Sequence, residues 1–303
     1  MMLAPARRPA LHAAPGRGAA AELMARLLRD RLTLAGAGIL ALLAALAVIV
    51  PLVSPVDPTA TSLPDRLLPP AWVPRGTTAH LLGTDGLGRD ILIRIVYGGR
   101  ISLTVGFGAA LIAAALGVPL GLCSGYFGGA ADAVIMRLVD IQLGFPSILL
   151  YISALAVVKP GLFNMVAILG IAGWVIHARV IRAQVLAQRQ MEYVEAARAL
   201  GSSHLWILSR HVLPNVLAPV VVISTYSIAV FIITASSLSF LGLGLPPSTP
   251  DWGQMIATSM NYIRRAWWPS TFAGLALSLT VFGVSVLGDW LRDYLDPRLR
   301  VET

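Results

Sequence analysis

The sequence is poor in charge: Asp, Glu, Lys and Arg make up 13% of its 303 residues, against roughly a quarter in an ordinary soluble domain. Water is therefore excluded as the surroundings of most of the chain. Lysine is almost missing, with Lys159 alone and Pro160 after it. A nucleotide loop of the Gly-Lys-Ser/Thr type needs that lysine to reach the phosphates. The cluster Gly83, Gly86 and Gly88 therefore reads as a turn, and the chain is not expected to hydrolyse ATP. Cysteine occurs once, at Cys123, which rules out an internal disulfide and a cysteine-based metal cluster. The histidines at 12, 80, 177, 204 and 211 lack the spacing of a metalloprotease helix. No metal, no cofactor and no catalytic residue is expected.

What is present is apolar, with 56% of residues hydrophobic. A helix needs about 20 apolar residues to cross a bilayer, and the uncharged runs read as an all-α membrane bundle of about six such helices. A tail, 1–31, carries Arg7, Arg8, Arg17, Arg26, Arg29 and Arg31. The first helix, 32–53, exceeds the apolar part of a signal peptide and has no small-x-small cleavage site after it, so it is read as uncleaved. A proline-rich external loop, 54–100, follows, holding a short interfacial helix and an ion-pair network of Asp85, Arg89 and Asp90. A five-helix core, 101–290, comes next. Its first span, Ile101 to Cys123, is rich in Gly and Ala, which let helix backbones approach closely in lipid. Its second, Ile141 to Val158, is introduced by Asp132, Arg137 and Asp140 and kinks at Pro146. Its third runs from Leu162 to Ile176 and on towards Arg179 and Arg182, which snorkel to the interface. Two more follow, from Val212 to the Gly and Pro rich stretch 242–250, and from Ala266 to Gly288, with Trp267 and Trp268 at headgroup level. In the remaining tail, 291–303, and just before it, Asp289, Arg292, Asp293 and Asp296 fall at helical spacing and are expected to tie the end of the chain to neighbouring loops.

The net charge of +8 is not spread evenly. Arginines gather in the first tail, in the basic stretch 177–211 and at the end of the chain, which is the signature of retention on the cytoplasmic side. Both termini and Arg198 are thus expected inside, and Pro69 and Pro247 outside. This pattern makes the lipid bilayer the partner of the basic residues, and nucleic acid is not expected. A transporter driven by an ion gradient would place ionisable residues within its spans, whereas here the charges stand at the span ends.

Inside the basic stretch lies a local pattern of helix, break and helix. Glu192 to Leu200 consists of good helix formers, Gly201 suits a left-handed C-terminal position, and Ser202 or Ser203 can cap the next turn. Such a helix, with Ala196 and Ala197 allowing close approach, is either a docking knob for a cytoplasmic partner or a surface helix without one.

The spacing Glu195-Ala196-Ala197, three residues, Gly201, then Leu213-Pro214 resembles the EAA loop of ABC importer permeases. The resemblance covers about residues 81 to 300 and narrows to the dipeptide, oligopeptide and nickel group, in particular its DppC/OppC-like subunits. Leu82-Gly83-Thr84-Asp85 with Gly88-Arg89-Asp90, Tyr97 to Leu103, Phe145-Pro146-Ser147, Ser237 to Gly244, and Gly288-Asp289 through Arg298 stand in that family's order. The resemblance implies a type I importer permease in a bacterial inner (cytoplasmic) membrane. It implies a coupling loop, 184–214, whose residues Glu195, Ala196, Ala197, Gly201, Leu213 and Pro214 seat in a cleft of cytoplasmic ABC ATPase subunits. It also implies a homologous second permease subunit, an extracytoplasmic substrate-binding protein, and peptides, glutathione-like peptides or nickel complexes as solutes. Two departures stand out. His211 replaces the family's usual Ile before Leu-Pro, and Ala235-Ser236 stand where many relatives carry a Glu.

Overall fold

The computed structural model describes residues 30–53, 56–246 and 248–295. Its architecture is helical: α1 (Arg31–Val53), α2 (Ile91–Phe127), α3 (Gly129–Leu143), α4 (Ser147–Val157), α5 (Leu162–Gln188), α6 (Glu192–Ala199), α7 (His204–Ile207), α8 (Leu213–Phe240), α9 (Trp252–Ser259) and α10 (Trp268–Leu295). Among the described residues there are five helices long and apolar enough to cross a membrane, and six if the bent pair α3 and α4 is one span. Pro297, Arg298 and Asp296 lie outside the described residues, as does Pro247.

The longest seam joins α2 to α5. Gly117, Gly121 and Gly125 recur every four residues on one face of α2, and a methyl group on any of them would strike the α5 backbone or the first atoms of its side chains. At Gly121 it would stand 2.7 Å from the Ala178 carbonyl oxygen and 2.9 Å from Ile181 Cβ. Lipid supplies no hydrophobic drive between helices, so close backbone packing of this kind is what holds them. α8 lies across the pair, and Phe231 and Ile232 join Val105, Ala109, Leu169 and Leu238 in the main core. α1 packs on α10 where Gly36 meets Gly283.

At one end of the bundle the segment before α2 is held by polar contacts. Asp85 accepts from the backbone N–H of Leu87 at 2.8 Å and from Arg89 Nε at 2.7 Å, and Arg94 Nε lies 3.7 Å from it. Asp90 caps α2 through Ile93 N at 3.0 Å and contacts His80 at 2.8 Å. Of the expected network, Asp85 pairs with Arg89, with Arg94 buried beside them, while Asp90 pairs instead with His80. Trp252 donates to the Ile95 carbonyl and Trp268 to the Thr84 carbonyl, each at 3.0 Å. Of the two tryptophans expected at headgroup level, Trp267 is half-exposed while Trp268 is buried, because its N–H finds that internal acceptor.

Several span limits differ from those read in the sequence. α2 begins ten residues before Ile101, so the segment 54–100 is shorter as a loop than expected; Asp90 can start the helix there because Arg94 is buried and paired. α5 continues to Gln188 because Arg182 does not snorkel: it forms a two-pronged pair with Asp132, whose second prong, Nη2 to Oδ2, measures 2.6 Å. α10 continues through Leu295, past the expected boundary at 290. The span expected from Ile141 to Val158 is two helices bent by 86°, and its first half begins at Gly129. Pro146 has no N–H to continue α3, which ends two residues earlier at Gly144.

The seam makes a direct prediction. Gly121→Ala should destabilise the purified chain by about 1–3 kcal/mol, the usual cost of overpacking. Gly274→Ala in α10, where an added methyl meets nothing within 4 Å, should be neutral or raise stability by up to about 1 kcal/mol. Thermal unfolding in detergent reads both, and equal effects would mean that the seam does not determine the packing.

Candidate functional site

The residues singled out in the sequence come together at the end of the bundle opposite Trp252. α6 stops in a full Schellman arrangement: Gly201 N–H reaches the Arg198 carbonyl at 3.0 Å and Ser202 N–H reaches Ala197 at 3.1 Å. Gly201 has φ +80 and open space where a side chain would go. A substitution there is strained by its backbone and not by a neighbour, which costs about 1 kcal/mol or more for an L-residue. Ser203 then caps α7 by accepting from Trp206 N at 3.3 Å. Both helix ends agree with the sequence.

Between α7 and α8 the chain makes one wide turn over Leu208–Val212, in which Leu213 N–H bonds back to Leu208. Pro214 follows. A proline inside regular α-helix loses one bond and presses on the carbonyl four residues back, and widening the preceding turn removes that conflict. Leu213-Pro214 thus lets α7 and α8 continue as one rod of 37 residues.

The two alanines do not share a face. Ala197 is buried with Val194, in a cluster with Tyr126, Ile181, Val185, Ile207, Val212 and Val216. Ala196 and Glu195 are exposed. Adjacent residues on a helix point about 100° apart, and Ala197 is taken up by packing within the chain. What faces outward includes residues the sequence reading passed over, Leu200 at 86% exposure and Leu205 at 79%. Their position flanking Gly201, at the apex between two short helices, was the signal available for finding them.

Side-chain contacts fasten this apex to the long helices. Tyr126, on the last turn of α2, shares a hydrogen bond of 3.0 Å with His204 Nδ1, and the Arg198 guanidinium stands over its ring at 5.8 Å. Arg189 Nη1 donates to the Gly125 carbonyl at 3.1 Å. Tyr193 donates to Gln188 and accepts from Asn215 Nδ2 at 3.2 Å; burial pushes its phenol above the ordinary value, so it stays neutral in both bonds. His211, the departure from the usual Ile, fills its place by ring contact with Trp206 at 4.8 Å and Tyr193 at 5.8 Å. The site offers no metal-binding group of His, Cys, Asp and Glu among the described residues. Its geometry suits the transmission of a push or pull on the apex to α2, α5 and α8.

A model of the family described as binding-protein-dependent transport system inner membrane component matches residues 117–301, and one of the N-terminal TM domain of oligopeptide transport permease C matches residues 20–70. The chain is similar to the di/tripeptide transport system permease protein DppC of Pseudomonas aeruginosa, with 41% identity over 84% of each chain. It is also similar to the dipeptide transport system permease protein DppC of Haemophilus influenzae, 38% identical over 90% of this chain and 92% of the relative. The glutathione transport system permease protein GsiD of Pectobacterium atrosepticum is 43% identical over 74% of each. Among solved structures, the MetNI methionine ABC transporter in an inward-facing conformation aligns with a TM-score of 0.57 at 20% identity, covering 68% of this chain and 98% of that one. An amino acid ABC transporter aligns with a TM-score of 0.53 at 16% identity, covering 67% and 95%. At those identities the likeness is one of fold, which is that of type I importer permeases.

The different orientations of the alanines are testable on the isolated chain. Ala197→Leu should lower its thermal stability by about 1–3 kcal/mol through overpacking, while Ala196→Leu should leave it within about 0.5 kcal/mol, as at other open surface positions. The reverse order would mean that α6 is rotated from the position described.

Proposed function

The chain belongs to the binding-protein-dependent transport system inner membrane component family, and from that premise we propose how it works as a permease subunit of an ATP-driven peptide importer. It is a multi-pass membrane protein, and its path for di- or oligopeptides is completed by a homologous second permease subunit. ATP is hydrolysed by separate cytoplasmic ATPase subunits. An extracytoplasmic binding protein delivers the solute. Relatives named for dipeptide and glutathione transport support the peptide class.

The observation that carries the coupling role is the two-sidedness of the α6–Gly201–α7 apex. Its inner face, Val194, Ala197 and Ile207, is buried in the chain's own core, and its outer face presents Leu200 and Leu205 to solvent. Uncovered leucines at the tip of a loop are an interaction surface in search of a partner, and burying each one is worth about 1.5–3 kcal/mol. Glu195 and Ala196 lie on the same outward side, so the ATPase meets Glu195, Ala196, Leu200 and Leu205, while Ala197, Gly201, Leu213 and Pro214 set the shape. Both termini and this apex are cytoplasmic by the distribution of arginine.

Gly201→Val should abolish uptake and loosen co-purification of the ATPase while the chain still inserts in the membrane. Gly201→Asn, which tolerates the left-handed region, should retain much of both. Normal uptake by the valine variant would sink the coupling role. The orientation has its own check: with Cys123 replaced by Ser, a cysteine at 69 or 247 should react with an impermeant thiol reagent added outside sealed cells, and one at 198 should not. Labelling at 198 would overturn the topology.

A further inference from the structure

The bend between α3 and α4 lies beside the middle of the stretch of α5 that a bilayer would cover. Ten residues separate Leu162, the first of α5, from Ala172, and ten more separate Ala172 from Arg182. At 1.5 Å per residue each interval is about 15 Å, half of a hydrocarbon core about 30 Å thick. Gln142 fastens the bend at that level: its Nε2 donates to the Ala172 carbonyl, and its Oε1 accepts from Trp174 Nε1 at 3.0 Å. The bend itself, Gly144, Phe145 and Pro146, is exposed, with Phe145 at 62%.

Irregular backbone at this depth cannot face lipid. The helical ladder is only partly kept across the bend, where Gly144 N–H bonds to Asp140, Phe145 N–H to Gln142, and Leu149 and Leu150 N–H to Pro146; hydrocarbon offers no partners for the rest, and such segments persist only inside protein or along a water-filled cavity. The surroundings of the bend favour the cavity. Phe145 lines a hollow of about 210 Å³ that Tyr226 of α8 also lines. Tyr226, also exposed, in turn lines a second hollow of about 970 Å³ that runs past Gln184, Gln188 and Asn215 to Asp289 and Arg292. Tyr226 thus stands between the two hollows as a shared wall, and their linings together extend from the bend to the end of the bundle that carries the apex. Exposed amide side chains along the inner hollow would be costly in lipid. The hollow at the bend has no charged lining residue, which suits solutes whose own charge varies.

Resting on the reading of the chain as a permease subunit, we propose that the Gly144–Pro146 bend lines the solute path at its midpoint, and that Gln142 is the positioning residue that holds it there. Phe145 and Tyr226 are then the side chains the solute passes.

The test uses the assembled importer in proteoliposomes, with Cys123 replaced by Ser and one cysteine introduced by Phe145→Cys. A charged, membrane-impermeant methanethiosulfonate should modify it, and at a rate comparable with that of an uncharged, lipid-soluble maleimide. Reaction with the maleimide alone would place the bend in lipid, and reaction with neither would bury it under the second subunit; either overturns the proposal. Gln142→Leu, which removes both hydrogen bonds and shortens the side chain by one atom, should change the labelling rate at 145 and lower uptake, each by about tenfold, with ATPase co-purification unchanged. Trp174→Phe should act in the same direction and less strongly. An unchanged labelling rate in Gln142→Leu would deny Gln142 its positioning role. Failure of the permease reading looks different: uptake would then survive Gly201→Val as well, whatever the reactivity at 145.

Discussion

The backbone approach of α2 and α5 along Gly117, Gly121 and Gly125 is the constraint on which the rest of the structure depends. It brings the last turn of α2 beside the end of α5, so that Tyr126, Gly125 and Arg189 can take part in holding the apex around Gly201. It also places Ser124 and Asp132 where Arg182 can reach the carboxylate. Widening this seam by the thickness of a methyl group would separate those partners together. In a medium that does not reward apolar contact between helices, a few small residues at a fixed repeat have more influence on the arrangement than the many leucines around them.

Each polar element then has a definite place relative to that seam. At one end Asp85 pairs with Arg89, Asp90 with His80, and Arg94 donates to the Pro58 carbonyl; at the other Asp132 pairs with Arg182. Between these levels the spans carry hydroxyls that bond to their own helix, such as Ser227 to the Ile223 carbonyl and Thr280 to the Ala276 carbonyl, each at 2.8 Å. Gln142 is different: it bonds to another helix, and it does so beside the one bend that interrupts a span. Its partners are thus the reason the bend has a fixed position, as the Schellman bonds at Gly201 are the reason the apex has a fixed shape.

Much of this was legible in the sequence where the signal is local. A run without charge reads as a span, and Gly after helix formers reads as a stop. What was not legible depends on partners distant in the chain. Arg182 reads as a snorkelling side chain until Asp132, fifty residues earlier, is brought to it. Trp268 reads as an interfacial anchor until Thr84 presents its carbonyl. The direction of Ala197 follows from helix rotation against Val194 and Tyr126, and the size of the bend at Pro146 follows from contacts of Gln142 with α5. Periodicity and composition carry no record of these pairings.

The replacement of the family's frequent Glu by Ala235 and Ser236 acquires a physical reason in the packing of α9. Ala235 is buried and faces the main core. The backbone of Ser236 lies so close to Gly253 that a methyl group at 253 would strike the Ser236 carbonyl. Asp251, two residues before that contact, is also buried, and burial raises the pKa of its carboxyl against the hydrogen bond from Gln254 N–H. A second carboxylate at 236 would be carried on backbone packed against Gly253, two residues from Asp251, and two like charges removed from water cannot both remain ionised without a large cost. The small pair therefore fits a structure in which the single buried acid of this region serves as the cap of α9 and leaves no charge within α8.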